Sequence, residues 1–288
     1  MLAQLVCYKT LPKWQADTIP SAFKQPHNTQ VGTYAQLVIL QGEIDFALLD
    51  EQGNITHTYH FSADQQPPLI APQQWHKIVS TSDDIECQLS FYCHKEDYCA
   101  KKFDLTPTHS DVIEAAKIVS PGKALDLGCG SGRNSLYLNL LGFDVDAVDK
   151  AEMSIAKVNQ MISQAELNHI RASVYDINQA SLDGHYDLII STVVMMFLQP
   201  DRIPNVIKNM QSMTKPNGYN LIVSAMSTAD CPCPLPFSFT FKENELRNYY
   251  QGWDIIKYNE NRGELHKTDM HGNRIKLRFA TLLAKKLN

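Results

Sequence analysis

Over residues 1–94, hydrophobic and polar positions alternate in short runs: TYAQLVILQGEIDFALLD, then GNITHTYHF, then IECQLSFYCH. Gly42, the Gly53-Asn54 pair and the prolines of QQPPLIAPQQWHKIVS interrupt them. A period of two with turn residues between the runs predicts strands, and no helix-period stretch of useful length precedes Asp97. Several short strands in succession predict a small all-β sandwich or barrel. Beyond that point the pattern changes. Buried-strand runs at 123–128, 143–149, 170–176, 186–194 and 218–226 alternate with helical periods at 110–119, from Arg133, at 151–165 and at 202–213. This βαβ alternation predicts a parallel sheet flanked by helices. GWDIIKYNE and NRIKLRFATLLAKK then follow with no helix between them, which predicts two strands pairing antiparallel at one edge.

Charge divides at the same place. Residues 1–94 hold four Lys, no Arg and nine acids, and the remaining cations and acids balance. The expected domains are therefore 1–94 and 95–288, in a chain of 288 residues with a net charge of −5. That charge argues against a nucleic-acid partner, which requires a surplus of cations to displace phosphate counterions. No run reaches the 18 or so uncharged apolar residues of a membrane span, and MLAQLVCYKTLPKW lacks the basic start of a signal peptide. Seven scattered cysteines point to a reducing cytoplasm rather than a disulfide framework. No exposed interface is legible, and a homo-oligomer stays open.

The strongest chemical signal is Asp126-Leu127-Gly128-Cys129-Gly130-Ser131-Gly132-Arg133-Asn134. An apolar strand enters a glycine turn that lets backbone approach a ligand closely, and a helix starts there. Asp149 closes the next strand, where a carboxylate meets ribose hydroxyls, and Asp176 ends the third, where it meets an adenine amine. Each alone reads equally as a solvated strand end or a helix cap; their shared register marks a nucleoside site. Asp187, by contrast, opens a strand at the opposite edge and reads as structural. The G-x-G-x-G spacing departs from a dinucleotide fingerprint, and Asp126 would repel a pyrophosphate but suits an ammonium group.

The loop resembles the first motif of class I S-adenosylmethionine-dependent methyltransferases, which implies a Rossmann-like domain with a seven-stranded sheet. By that resemblance Asp126, Gly128, Gly130 and Gly132 face the methionyl part, Asp149 the ribose, and Asp176 with the Ile177 backbone the adenine. Arg133, Asn134, Lys150 and Met153 are expected at the cofactor as well. Ser191 and Met195 are expected at the fourth strand's end. Tyr98, Lys102 and His109, with Thr106 and Thr108, are expected to lid the pocket, although capping and linker chemistry read the segment as well. No acid or Asn followed by Pro-Pro-aromatic stands after the fourth strand, where Ser191-Thr192-Val193-Val194 lies. Pro232-Cys233 follows the fifth strand, so the marks of DNA methylation are missing.

Arg262, His266, Lys267, His271, Arg274, Lys276 and Arg278 crowd the carboxyl-terminal segment. Lys276 and Arg278 read as guards of an edge strand; His266 and Arg274 are candidates to hold a small anion. Here LTPTHSDVIEA, ALDLGCGSGRNSLYL, STVVMMFL, NGYNLIVSAM, FKENELRNYYQGWDIIKYNE and GELHKTDMHGNRIKLRFATLLAKK resemble the tellurite-resistance methyltransferases, the TehB family. The resemblance spans about residues 96–288. It implies S-adenosylmethionine as cofactor, S-adenosylhomocysteine as product, tellurite or selenite as substrate, and catalytic roles for Arg133, His266 and Arg274. Lys267 stands where some relatives carry Arg. Alternatives are a methyltransferase for another small soft nucleophile, a non-catalytic sensor of the cofactor and, remotely, a nicotinamide oxidoreductase. Cys231 and Cys233 are two thiols only and do not complete a metal site. The amino-terminal domain resembles a degenerate cupin: His27 and His76 fit a metal site and Glu43 fits less well, so a structural or oligomer-forming module with no metal is expected.

Overall fold

The computed structural model describes residues 4–268 and 270–288, without the side chains of His266 and Lys267. The chain forms two compact units, Met1–Asp104 and Leu105–Asn288.

The first unit contains β1 (Leu5–Thr10), β2 (Trp14–Gln15), β3 (Tyr34–Gln41), β4 (Glu43–Leu49), β5 (Ile55–Ser62), β6 (His76–Thr81), β7 (Glu86–His94) and α1 (Lys95–Phe103). In one sheet β7 pairs with β1, β2 and β3; in the other β4 lies between β5 and β6, and every pairing is antiparallel. Strand alternation turns Ala35, Leu37 and Ile39 of β3 and Cys87 and Leu89 of β7 inward. They share one core with Ile44, Phe46, Phe61 and Ile78 of the other sheet. Gly42 makes the corner where the chain changes sheets. Its φ is +76°, and a Cβ there would stand 2.8 Å from Ile85 Cα, so only glycine fits. The charge shift near His94 coincides with the end of β7, and α1 packs back onto β1 and β7. Burial of Cys87, Cys93 and Cys99 pushes their thiols up to about 11, 12 and 12.

The second unit runs α2 (Ser110–Ile118), β8 (Lys123–Leu127), α3 (Arg133–Leu140), β9 (Asp144–Asp149), α4 (Glu152–Gln164), β10 (Ile170–Val174), β11 (Tyr186–Thr192), α5 (Ile203–Met213), β12 (Thr214–Met226), α6 (Glu245–Tyr249), β13 (Asp254–Asn259), β14 (Arg262–Thr268) and β15 (Arg274–Lys285). The sheet order is β10-β9-β8-β11-β12-β15-β13, with β14 also paired to β15. The first five are parallel and the last three join antiparallel. α5 shows how the pattern becomes packing: Ile203, Val206, Ile207, Met210 and Met213 recur on one face and are buried in the main core. The sheet has eight strands rather than seven, and three rather than two in the last segment. β15 is 12 residues long, so β14 pairs along its first half (Arg262 opposite Arg278) and β13 along its second (Asp254 opposite Lys285). Chain order reverses at β8, which has β9 on one side and β11 on the other; ligands of open α/β sheets bind at the carboxyl edge of such a point. Among the described residues, no helix is long and apolar enough to cross a membrane.

Candidate active site

The turn after β8 is built by three glycines with φ of +81°, +52° and +84° at 128, 130 and 132. Two of them are glycine because the protein leaves no room. A Cβ on Gly128 would stand 2.4 Å from Val194 Cγ2, and one on Gly132 2.9 Å from Val158 Cγ2. Gly130 differs, with nothing within 4 Å of such a Cβ, so its backbone is bare toward open space. Gly128 and Cys129 N–H both donate to Val148 O, and Gly130 N–H donates to Asp149 Oδ2 at 2.9 Å. Asp149 Oδ1 accepts from Ala151 N–H at 2.8 Å. The carboxylate therefore ties the loop to the next helix and keeps lone pairs on both oxygens.

Beneath the loop, Asp126 is 1% exposed. Its Oδ2 accepts from Ser135 Oγ at 2.6 Å, while its Oδ1 is shielded from solvent and unpartnered. Burial pushes its carboxyl up to about 6, against the Ser135 hydrogen bond and the nearby Arg133 charge, which pull it down. Asn134 locks the first turn of α3: its Nδ2 donates to Thr192 Oγ1 at 2.9 Å and its Oδ1 accepts from His109 N–H at 3.0 Å.

A cavity of about 450 Å3 opens at the carboxyl ends of β8, β9, β10 and β11. Of the expected cofactor residues, Gly128, Gly130, Arg133, Asn134, Asp149, Lys150, Asp176 and Ile177 line it. Asp176 stands after β10 rather than in it and caps the 3-10 turn Ile177–Gln179, accepting from Asn178 N–H at 3.0 Å. Thr106, Cys129, Ser131, Tyr175, Thr192, Val193, Val194, Phe197 and Leu198 complete the wall. Tyr175 and the 192–194 segment carried no signal beyond adjacency to Asp176 and Ser191.

A second cavity of about 310 Å3 is lined by His109, Arg133, Val193, Arg262, Glu264 and Phe279, among others. Arg133 and Val193 line both cavities. The Arg133 guanidinium is held by Pro107 O, 3.1 Å from Nη1, and burial pulls its pKa down. Val193 has φ of +59°, the left-handed region that a β-branched residue rarely enters. His109 caps α2, its Nδ1 accepting from Asp111 N–H at 3.3 Å.

Several expected residues stand elsewhere. Ser191 and Met195 are fully packed in the interior and line neither cavity, because β11 stops at Thr192 and Met195 begins a 3-10 turn. Met153 is 78% exposed on α4. Gly132 lies behind the loop, against α4. Tyr98 and Lys102 belong to α1 of the first unit. Arg274 is exposed at the first position of β15, opposite Thr268, and lines neither cavity. The side chains of His266 and Lys267 lie outside the described residues. Arg278, expected as an edge guard, instead donates from Nη2 to Asp230 Oδ2 at 2.6 Å, with its Nε shielded and unpartnered. Lys276 is 3.8 Å from Glu264. Asp187 accepts from Lys123 N–H and Lys215 Nζ at the opposite edge of the sheet. Glu43 pairs with His60 at an exposed edge, away from the cavity that His27 and His76 line. All seven cysteines are free; Cys231 and Cys233 are half-buried, and burial pushes the Cys129 thiol far up.

Comparison with known proteins covers both units. The tellurite resistance protein TehB family matches residues 91–283, and a TehB-like domain matches residues 9–89. A probable S-adenosyl-L-methionine-dependent methyltransferase TehB of Haemophilus influenzae strain 10810 is 54% identical over 286 residues, 99% of this chain and 100% of that one. A protein of Eikenella corrodens named hemagglutinin 1 is 49% identical over 238 residues, 83% of this chain and 79% of its own. The crystal structure of TehB from Haemophilus influenzae matches with a TM-score of 0.96 at 54% identity, over 99% of this chain and 100% of that one.

Proposed function

The chain belongs to the TehB family of S-adenosylmethionine-dependent methyltransferases, and from that premise we propose that its acceptor is a small chalcogen oxyanion, tellurite or selenite. The observation that carries this reading is the sharing of Arg133 and Val193 by the two cavities, which sets a compartment with two arginines, Arg133 and Arg262, alongside Asp111 and Glu264, beside the cofactor compartment.

The residues of the larger cavity fit the cofactor. Asp149 has lone pairs left for ribose hydroxyls, and Gly130 leaves open space against its backbone. The unpartnered Asp126 Oδ1 beneath the loop supplies negative potential suited to an ammonium group. When bound, the cofactor supplies an electrophilic methyl group on a sulfonium. The chain's own task is orientation. A chalcogen oxyanion already carries its lone pair and its charge, so no side chain has to remove a proton, and positioning supplies the rate. Arg133 and Arg262 present forked donors to the oxygens. Val193, between the compartments, keeps water from the shared wall. His266 and Arg274 stay proposed oxyanion partners on the family resemblance. A reducing, cytoplasmic setting is part of the proposal, on the scattered spacing of the seven cysteines.

The test is transfer from methyl-labelled S-adenosylmethionine to tellurite or selenite by the full chain. Labelled methylated chalcogen is expected, with at least tenfold less from Arg262→Ala and unchanged affinity for S-adenosylhomocysteine. Transfer to small thiols but not to either oxyanion would move the acceptor to another soft nucleophile. Tight cofactor binding without any transfer would make the chain a sensor.

A further inference from the structure

The first unit holds an open pocket of about 470 Å3, lined by residues of that unit. Its size is within the range of small-molecule sites. Trp14, Phe23, Leu37, Phe46, Ile78 and Leu89 form an apolar part of its wall, and Lys9, Asn28, Gln30 and Lys101 a polar part, with Lys101 Nζ already donating to Val31 O and Thr33 Oγ1. Among the described residues no Asp or Glu lines it, although residues 1–94 carry nine acids.

Two imidazoles stand among these walls. The His76 ring is stacked on Phe46, with centroids 5.4 Å apart at 23°, and lies 4.2 Å from the His27 ring. His76 Nδ1 is 2.7 Å from Gln74 O, and His27 Nδ1 is 2.8 Å from Gln25 O. A carbonyl oxygen only accepts, so each Nδ1 carries the hydrogen. In the neutral ring each Nε2 is then a bare acceptor. Burial pulls the His76 pKa down to about 4, which keeps that ring neutral near pH 7. Among the described residues neither Nε2 has a partner, and that of His27 is shielded from solvent as well. An unpaired acceptor on a buried ring such as His76 is costly unless something donates to it. No group of three or more His, Cys, Asp or Glu converges there among the described residues, so the donor set of a closed metal centre is lacking.

We propose that the interior of the first unit is a second small-molecule site, for a hydroxylated aromatic compound whose O–H donates to His76 Nε2 while its ring packs between Phe46 and Trp14. The aromatic side chains Trp14, Phe23 and Phe46 favour a flat ring, and the His76 Nε2 acceptor selects a donor.

The test uses the full chain with 2-naphthol and 2-methoxynaphthalene, which share a ring and differ in the donor. Calorimetry is expected to show 2-naphthol bound at least tenfold tighter, without competition from S-adenosylhomocysteine. In His76→Phe the two should bind within about twofold of each other, with S-adenosylhomocysteine affinity unchanged. Because the paired ligands are compared on the natural chain, the test survives a variant that fails to fold. Equal binding of both compounds, or binding of neither, overturns the proposal. So does a tenfold preference for 2-naphthoate over 2-naphthol, which would assign the chamber to anions, or a stoichiometric metal ion in the purified protein.

Discussion

Asp126 is the residue whose environment costs the protein most for its function. The folded chain holds this carboxyl at about 6 against an ordinary 3.8, chiefly through burial. The folded state therefore binds the proton more tightly than the unfolded chain, and stability falls as pH rises from about 3.8 to 6. Asp126→Asn removes that penalty. The ligand-free variant should be more stable than the natural chain at pH 8, by up to about 3 kcal/mol, and no more stable at pH 3.5. Its affinity for S-adenosylhomocysteine should fall at least tenfold. Urea titrations at the two pH values and one calorimetric isotherm decide this. Gly128 is constrained sterically instead. Gly128→Ala sets a methyl 2.4 Å from Val194 Cγ2, on a stiff β-branched side chain, and should cost about 2–4 kcal/mol. Adding Val194→Ala should restore only about half, because the backbone at φ +81° stays strained.

At the scale of the element, the exit from β11 concentrates the strain. Val193 sits at φ +59°, with its N–H donating to Val223 O at 2.7 Å, while its side chain walls both cavities. Val193→Gly and Val193→Ala both delete that wall, and only glycine relieves the backbone. Methyl transfer should fall at least tenfold in both, with the glycine variant the more stable by about 1 kcal/mol in chemical unfolding. The same segment explains where the chain was legible. The glycine loop, Asp149 and Asp176 could be read because each ends a clear apolar run, and strand ends on one edge converge. Continuing β11 to residue 194 by alternation puts Ser191 and Met195 at the cofactor. The left-handed turn at Val193 ends that alternation, burying Met195 and leaving Val194 and Phe197 on the wall. No glycine signals the turn. β14 escaped for another reason: GELHKT lacks an apolar alternation and forms because β15 offers it a free flank.

For the whole molecule, acid should weaken the first unit, whereas the second, through Asp126, gains from acid and is stabilised by the cofactor. His76 is held near 4 in the folded first unit against 6.5 when unfolded. Its contribution is complete above about 6.5 and is lost as pH falls toward 4, up to about 3 kcal/mol. Unfolding followed by Trp14 and Trp75 fluorescence should show this acid loss, and His76→Gln should flatten it. Saturating S-adenosylhomocysteine, at a hundredfold its Kd, should stabilise the second unit by about 2.7 kcal/mol, since residues 106–198 supply every wall of its cavity. The placement of the thiols carries one further consequence. The proposed acceptors, tellurite and selenite, consume thiolates, so a catalyst acting on them would risk poisoning itself. Cys87, Cys93, Cys99 and Cys129 are buried with their ionisation suppressed, Cys129 in the glycine loop itself. Oxidative damage follows thiolate character and access. It should begin at Cys7, Cys231 and Cys233, sparing the interior through many turnovers.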